Sequence, residues 1–291
     1  TVGKGREDDP SASSSTDDVP SMGEKEKDSR KLFLRDTAVL LEENEIEYEL
    51  GFSYARNQFF DVSKQRSVDV NLSMRFSLGE WEGFVSLPYS YVQLKDITNG
   101  NRQQASIDDL NFGIKKSLFK ENVDWPDIIG SLSLTAPTGK EASLSDPSEV
   151  ATGGGQWLLH GGLTFIRSYD PAVLYGTIGA VYAFDEDIQD IQDIGVTGGN
   201  PFNMDYQLNY GFGMGFAINQ QITFSQQFNG AFIKARHYEG IALGDSREPM
   251  SLTLALTIRR DSDSYFLPWL SLGLNDDASD VVLGLSYSNK F

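Results

Sequence analysis

The chain of 291 residues has no cysteine and a formal net charge of -18, with 42 acidic against 24 basic residues. Without cysteine, disulfides and thiolate metal sites are excluded. The acidic balance argues against a general nucleic-acid binder, so no nucleic-acid partner is expected. No apolar run approaches the roughly 18 residues that a membrane-spanning helix needs.

The first 44 residues differ from the remainder. Residues 1–20 are rich in Ser, Asp and Pro and bury too little apolar surface to offset their ordering entropy, so we expect a disordered periplasmic linker. Residues 21–44 are predicted to contain a short plug-like helix, because Ser21 is a suitable N-cap and good helix formers follow it. A disordered tail is the alternative. The expected plug residues are Lys25, Lys27, Arg30, Lys31, Leu32, Phe33, Leu34 and Arg35.

From Glu45 to the end, apolar residues alternate with small or polar ones, which is the period of a β-strand. About 12 segments show this pattern. They are 45–57, 65–78, 81–94, 105–119, 128–138, 155–167, 172–184, 205–218, 221–235, 248–260, 265–275 and 281–291. Two are ambiguous: 172–184 is apolar or small on both faces, and 265–275 contains Pro268, which a central ladder tolerates poorly.

The period alone does not say whether the apolar face meets a protein core or lipid, but the connections favour lipid. Tight turns such as "SLGEW" and "RDSDS" alternate with longer polar loops, at 95–104, 139–154, 185–204 and 236–247. Outer-membrane barrels have short periplasmic turns and long external loops, and their aromatic residues gather at the strand ends. We therefore predict an all-β fold, a transmembrane antiparallel up-and-down β-barrel over 45–291. It would lie in the bacterial outer membrane, contact its lipid and have periplasmic termini. A soluble all-β protein is the alternative.

Two stretches resemble known families. The strand "DDLNFGIKKSLF" and the segment "SLSLTAPTGK" resemble the outer-membrane transporter family named after the meta-pathway of phenol degradation. A more particular resemblance is to the FapF family, the secretion channels of the functional amyloid (Fap) system of pseudomonads. It rests on the start "TVGK", the polar linker and the segment "SRKLFLRDTAVLLEENEIEYELGFSY". That resemblance implies a homotrimer of 12-stranded barrels, each closed by a plug from its own N-terminal segment, with an amyloid subunit polypeptide as cargo.

A barrel of this strand number has a lumen about 10 Å across, wide enough for an extended polypeptide and filled by a single helix. By parity the pore-lining residues are Glu45, Glu47, Glu49, Asp69, Asn71, Arg75, Asp109, Asn111, Lys115, Gln156, Gln207, Asn209, Gln227 and Arg259. Glu47, Glu49 and Asp69 form an acidic wall, which predicts a preference for cations. Neutralisation by Arg75, Lys115 and Arg259 is the alternative.

Catalysis is not expected. The two histidines, His160 and His237, lack a nucleophile and an acid at recognisable spacing, and neither lies in a chelating pattern. No catalytic residue, metal site or cofactor is therefore predicted. The favoured function is a gated channel that exports an unfolded, amyloid-forming polypeptide. The alternatives are a diffusion channel for small solutes, aromatic ones included, and a surface adhesin.

Overall fold

A computed structural model describes residues 40–59, 63–96, 100–140, 150–184, 202–203, 206–238, 241–243 and 245–291. Its strands are β1 (Ile46–Phe59), β2 (Ser63–Leu78), β3 (Trp81–Asp96), β4 (Gly100–Ile107), β5 (Leu110–Phe119), β6 (Asp127–Ala136), β7 (Leu158–Tyr169), β8 (Ala172–Ala183), β9 (Phe202–Asn203), β10 (Gln207–Ala217), β11 (Ile222–Ile233), β12 (Arg236–Tyr238), β13 (Ile241–Leu243), β14 (Met250–Arg259), β15 (Ser264–Gly273) and β16 (Val281–Lys290). In the described part of the chain, no helix is long and apolar enough to cross a membrane.

The sheet closes into a 12-stranded antiparallel barrel, which confirms the predicted fold class. Neighbouring barrel strands pair in chain order, and β1 pairs with β16 to close the cylinder. β4 and β5 count as one barrel strand because both pair with β3. β4 pairs with residues 89–96 of β3, and β5 pairs with residues 81–86. Of the predicted plug-like segment, only residues 40–44 are described, and they are not helical; the rest lies outside the described residues.

The interruption between β4 and β5 lies opposite a proline. Pro88 has no N–H to donate to the neighbouring strand, and the register shifts by one residue between the pairs Ser86↔Asn111 and Tyr89↔Ile107. Between these two pairs, the β4–β5 side has one more residue than β3. The extra residue forms a bulge, which reverses which side-chain positions face inward and outward. The predicted single strand 105–119 is therefore wrong in this detail.

Another proline leaves a smaller mark. Pro268 lies within β15, and the ladder between β14 and β15 omits the pairs of Leu267 and Pro268 while keeping its register on both sides. The missing N–H explains the gap. The ambiguous segment 265–275 is nevertheless a barrel strand.

Three predicted loop regions contain strands. The loop placed at 95–104 is wrong, because β3 continues to Asp96 and β4 begins at Gly100. Within the loop regions predicted at 185–204 and 236–247, β9, β12 and β13 pair into a small separate sheet. These strands of two or three residues are too short for a search for apolar alternation to find them.

Burial in the barrel is the reverse of that in a soluble protein. Leu50, Phe52 and Phe212 are 52%, 54% and 63% exposed, whereas Glu47 and Glu82 are only 2% and 1% exposed. A soluble sheet would bury its apolar face. Apolar side chains that surround the outer wall, with charges inside, are the arrangement of a transmembrane barrel.

Candidate functional site

The two ends of the barrel differ in their connections. β2 and β3 are joined by Gly79 and Glu80 alone, and Gly79 has φ of 71°, the left-handed conformation that such a turn favours. The β7–β8, β10–β11 and β14–β15 turns lie at the same end as the start of β1 and the end of β16. We call this the short-turn end and the opposite one the long-loop end.

Inside the short-turn end lies a belt of ion pairs, formed by Glu47, Arg75, Glu82 and Lys115. The Arg75 guanidinium donates to both carboxylate oxygens of Glu82, at 2.9 and 2.8 Å, and its Nη1 lies 3.7 Å from Glu47. Lys115 Nζ lies 3.6 Å from Glu82. The two-pronged contact is the strong form of this interaction. Of the three cations expected in the alternative, Arg75 contacts Glu47 of the predicted acidic wall, Lys115 contacts Glu82, and Arg259 lies over the Tyr265 ring.

A second pair closes the rim of the belt. Lys290 Nζ on β16 donates to Glu45 at 2.8 Å, across the seam where the barrel closes. The backbone N–H of Glu42 donates to the same carboxylate, also at 2.8 Å. The seam between the first and last strands thus also holds the chain that precedes β1.

Residues 40–45 run inside the short-turn end. The backbone N–H of Leu41 donates to Glu82 at 2.9 Å. Leu40 packs against a buried apolar cluster formed by Ile129, Ile166, Val173 and Tyr175, on β6, β7 and β8. Because Glu82 and this cluster belong to separate parts of the wall, the segment crosses part of the lumen.

The wall opposite the belt carries almost no charge. Along the inward faces of β8, β10, β11, β14 and β15, the charged side chain is Arg259, which lies over the Tyr265 ring at 5.9 Å at the short-turn rim. Elsewhere this wall presents amides and hydroxyls together with apolar side chains such as Val181 and Trp269. A cavity of about 470 Å³ includes Thr177, Asn209, Asn229, Ser251 and Ser271 of this wall and Asp277 of the connection between β15 and β16.

Amide groups on this wall bind one another. Gln207 donates to Asn209, and Gln227 donates to Asn229, each at 2.6 Å. The Tyr175 hydroxyl donates to Gln227 at 3.3 Å. The predicted residues Gln207, Asn209 and Gln227 thus lie together.

Aromatic side chains fit inside because glycines face them. Trp269 lies against Gly284 on the adjacent strand, and a Cβ on that glycine would collide with the indole ring. Tyr175 lies over Gly213 in the same way, on the adjacent β10. Both rings therefore lie over the backbone of the neighbouring strand.

The predicted residue Asp109 lies at the bulge and anchors loops. Its carboxylate accepts N–H groups from Gly139 at 2.9 Å and Gly154 at 2.6 Å. Asp108 beside it accepts from Ser90 at 3.3 Å. The connection between β6 and β7 is therefore fastened at two points to the discontinuous strand.

The remaining predicted residues are distributed along the barrel. Asp69 accepts from the hydroxyls of Ser53 at 3.4 Å and Ser67 at 3.0 Å. Asn71 accepts a hydrogen bond from Ser86 at 2.7 Å, and Asn111 donates one to Thr135 at 2.8 Å. Glu49 lies opposite Ser73 on β2. Gln156 is buried in the connection before β7. All eight expected plug residues, 25–35, lie outside the described residues. His160 contacts Thr135 at 2.9 Å.

Two functional residues were missed by sequence reasoning. Glu82 was left out although Trp81 and Val85 face outward, which places residue 82 inward by parity. Lys290 was left out although it alternates with the outward Tyr287 and Phe291 in the last strand. Parity was therefore a sufficient signal for both.

Solved structures share this architecture. The COG4313 outer membrane channel from Pseudomonas putida F1 superposes with a TM-score of 0.73 at 14% identity, over 86% of this chain and 97% of that one. The protein has the fold of an outer-membrane β-barrel. The translocator domain of the autotransporter NalP from Neisseria meningitidis gives a TM-score of 0.52 at 11% identity, over 92% and 94% of the two chains. The β domain of the Bordetella autotransporter BrkA gives 0.53 at 9%, over 86% and 100%. No protein-family model matches the chain.

Proposed function

We propose that this protein is a gated outer-membrane channel that exports an unfolded, amyloid-forming polypeptide, with its N-terminal segment as the plug. The short-turn end would face the periplasm, and the resemblance to FapF extends the proposal to a homotrimer. The observation that carries the proposal is the path of residues 40–45 into the lumen, where Leu41 binds Glu82 and Leu40 packs on the apolar cluster.

This path gives the gate a physical basis. If the plug precedes a chain that enters the lumen before β1, it would reach the same mouth of the barrel. The five basic residues Lys25, Lys27, Arg30, Lys31 and Arg35 would be attracted to the lumen carboxylates, each solvated pair contributing about 1 kcal/mol or less. Several weak pairs together hold a closed state that cargo or a partner can displace.

The uncharged wall suits an extended polypeptide. Amides and hydroxyls both donate and accept hydrogen bonds, as peptide groups do, and they exert no long-range attraction on a charged cargo. A passing chain would therefore meet matching groups without being held in place.

A planar-bilayer recording of the whole protein and of a variant without residues 1–36 tests the gate. We expect a larger single-channel conductance after the deletion, because the plug is removed. Addition of an amyloid-subunit peptide on the short-turn side should then produce transient blockades. An unchanged conductance would refute the gate, and a raised conductance without blockades would refute the cargo.

A channel for small apolar solutes is the second candidate, and one observation favours it. Ile129, Ile166, Val173 and Tyr175 form a buried apolar cluster on one sector of the wall, and Leu40 packs on it from the segment before β1. Liposomes that contain the deletion variant should then take up an aromatic hydrocarbon faster than empty liposomes. Uptake of that solute together with no peptide blockade would favour this candidate over export.

A further inference from the structure

The outer face of β1, β2 and β3 changes its chemistry at one level of the barrel. Up to Tyr54 on β1, Val68 on β2 and Tyr91 on β3, the outward residues are apolar or aromatic. Beyond that level the outward positions include four cations. These are Arg56, Lys64, Arg66 and Lys95, which we call the outer cationic patch.

The strand register brings the cations of the patch together. Arg56 lies directly opposite Arg66 across the β1–β2 ladder, and Lys64 lies directly opposite Lys95 across the β2–β3 ladder. Side chains that oppose each other in this way have Cβ atoms about 5 Å apart, and like charges there destabilise the sheet. Two such pairs side by side favour a bound anion.

No protein group supplies that anion. All four side chains are exposed, and none of them takes part in a salt bridge in the part of the chain that the structure describes. The cations of the lumen differ, because Arg75, Lys115 and Lys290 each contact a carboxylate. The patch is therefore open to a ligand from outside the chain.

The height of the patch indicates what kind of ligand reaches it. On β1 the outward apolar positions run from Ile46 to Tyr54, a length of roughly 27 Å along a strand with a rise of about 3.4 Å per residue. A tilt of about 40° reduces this to roughly 21 Å, close to the apolar band of about 25 Å in such barrels. Arg56, the next outward residue, thus lies at the depth of lipid headgroups.

We propose that the outer cationic patch binds the phosphate groups of lipopolysaccharide, the phosphorylated glycolipid of the outer leaflet. The proposal rests on the membrane orientation of the proposed function, with the long-loop end outside. Arginine presents a planar fork of donors that matches phosphate. Two pairs of cations suit a headgroup with more than one phosphate. The chain as a whole has a net charge of -18, so the patch is a local region of positive charge that attracts an anionic leaflet.

Binding of lipopolysaccharide to the full chain, purified in detergent, tests the proposal. The double variant Arg56→Gln/Arg66→Gln should bind at least tenfold more weakly than the wild type, and the further changes Lys64→Gln and Lys95→Gln should abolish binding. The control Lys120→Gln/Arg260→Gln removes the same charge from exposed residues at the short-turn end and should bind as the wild type does. Wild-type binding should weaken as salt is added, because the Debye screening length falls from ~10 Å at 0.1 M to ~3 Å at 1 M.

Parallel measurements separate the sources of phosphate. Vesicles of phosphatidylglycerol and inorganic phosphate should compete poorly for the patch; equal binding of phosphatidylglycerol would overturn the assignment to the glycolipid. Undiminished lipopolysaccharide binding by the fourfold variant would overturn the patch itself. Bilayer conductance of the same preparations is a separate readout, because the four residues lie on the outer wall. A wild-type protein that does not conduct would count against the proposed channel, but it would not affect the conclusion about lipid binding.

Discussion

The lumen has two unlike walls. The inward faces of β1, β2, β3 and β5 carry the belt of Glu47, Arg75, Glu82 and Lys115. Those of β8, β10, β11, β14 and β15 present amides, hydroxyls and apolar side chains, with Arg259 at the rim. The chain preceding β1 binds the charged wall at Glu82. The comparison teaches that the densest ion pairs of the lumen wall lie where a segment of the protein itself is held, and that the inward faces of the five opposite strands carry their charge at the rim.

The largest expected effect is that of breaking the belt at Glu82. In Glu82→Gln, Arg75 loses its two-pronged partner and remains buried, and Leu41 loses a charged acceptor. Arg75 keeps its longer contact with Glu47, at 3.7 Å, but breaking the two-pronged part of a buried ion pair still destabilises by about 3 kcal/mol. We expect a lower unfolding temperature in detergent and, if the segment gates the pore, a higher open probability in bilayers.

Glu80→Gln is the matched control. Glu80 lies two residues away on the exposed turn, 82% exposed and 3.0 Å from Lys116, where an ion pair contributes little. Its stability and open probability should equal those of the wild type. A Glu82 variant that behaved like the Glu80 variant would show that the charged wall does not hold the segment.

An intermediate effect should follow from moving an aromatic ring off the uncharged wall. Gly284→Leu places a side chain where the Trp269 ring now lies, so the indole must turn toward the lumen axis. We expect a lower conductance of the variant without residues 1–36. Gly161→Ala is the control, because a Cβ there meets nothing within 4 Å; equal conductance in both variants would mean that the glycine does not keep the pore open.

The barrel could be predicted from the sequence because lipid imposes one chemistry on every outward position. Glu47 and Arg75 follow from the same parity, which is set by outward neighbours such as Tyr48 and Met74. The break between β4 and β5 could not be predicted, since the bulge opposite Pro88 reverses the parity between Ile107 and Leu110. A periodicity search assumes that no residue is inserted.

The ends of the long hairpins were missed for a different reason. Above the lipid both faces of β3 and β4 are wet, so "GNRQQAS" has no apolar side and resembles a loop. The pair of Arg75 with Glu82 also needed structure, because it depends on two side chains that reach along the hairpin rather than on directly opposed positions. Parity assigns a face, whereas the partner depends on rotamers.

The smallest expected effect concerns ion selectivity, where the two walls should differ in kind. Asp69 is bound by Ser53 and Ser67 hydroxyls and by no cation among the described residues, so its charge acts on ions in the lumen. The measurement is the reversal potential of the channel without residues 1–36 in a tenfold salt gradient. Asp69→Asn should move this potential by a few millivolts in the direction of lower cation selectivity. That is about a tenth of the ~59 mV that a tenfold ratio gives for a single charge. Gln227→Leu on the uncharged wall should leave it unchanged. An equal shift in both variants would mean that selectivity follows pore size rather than the charged wall.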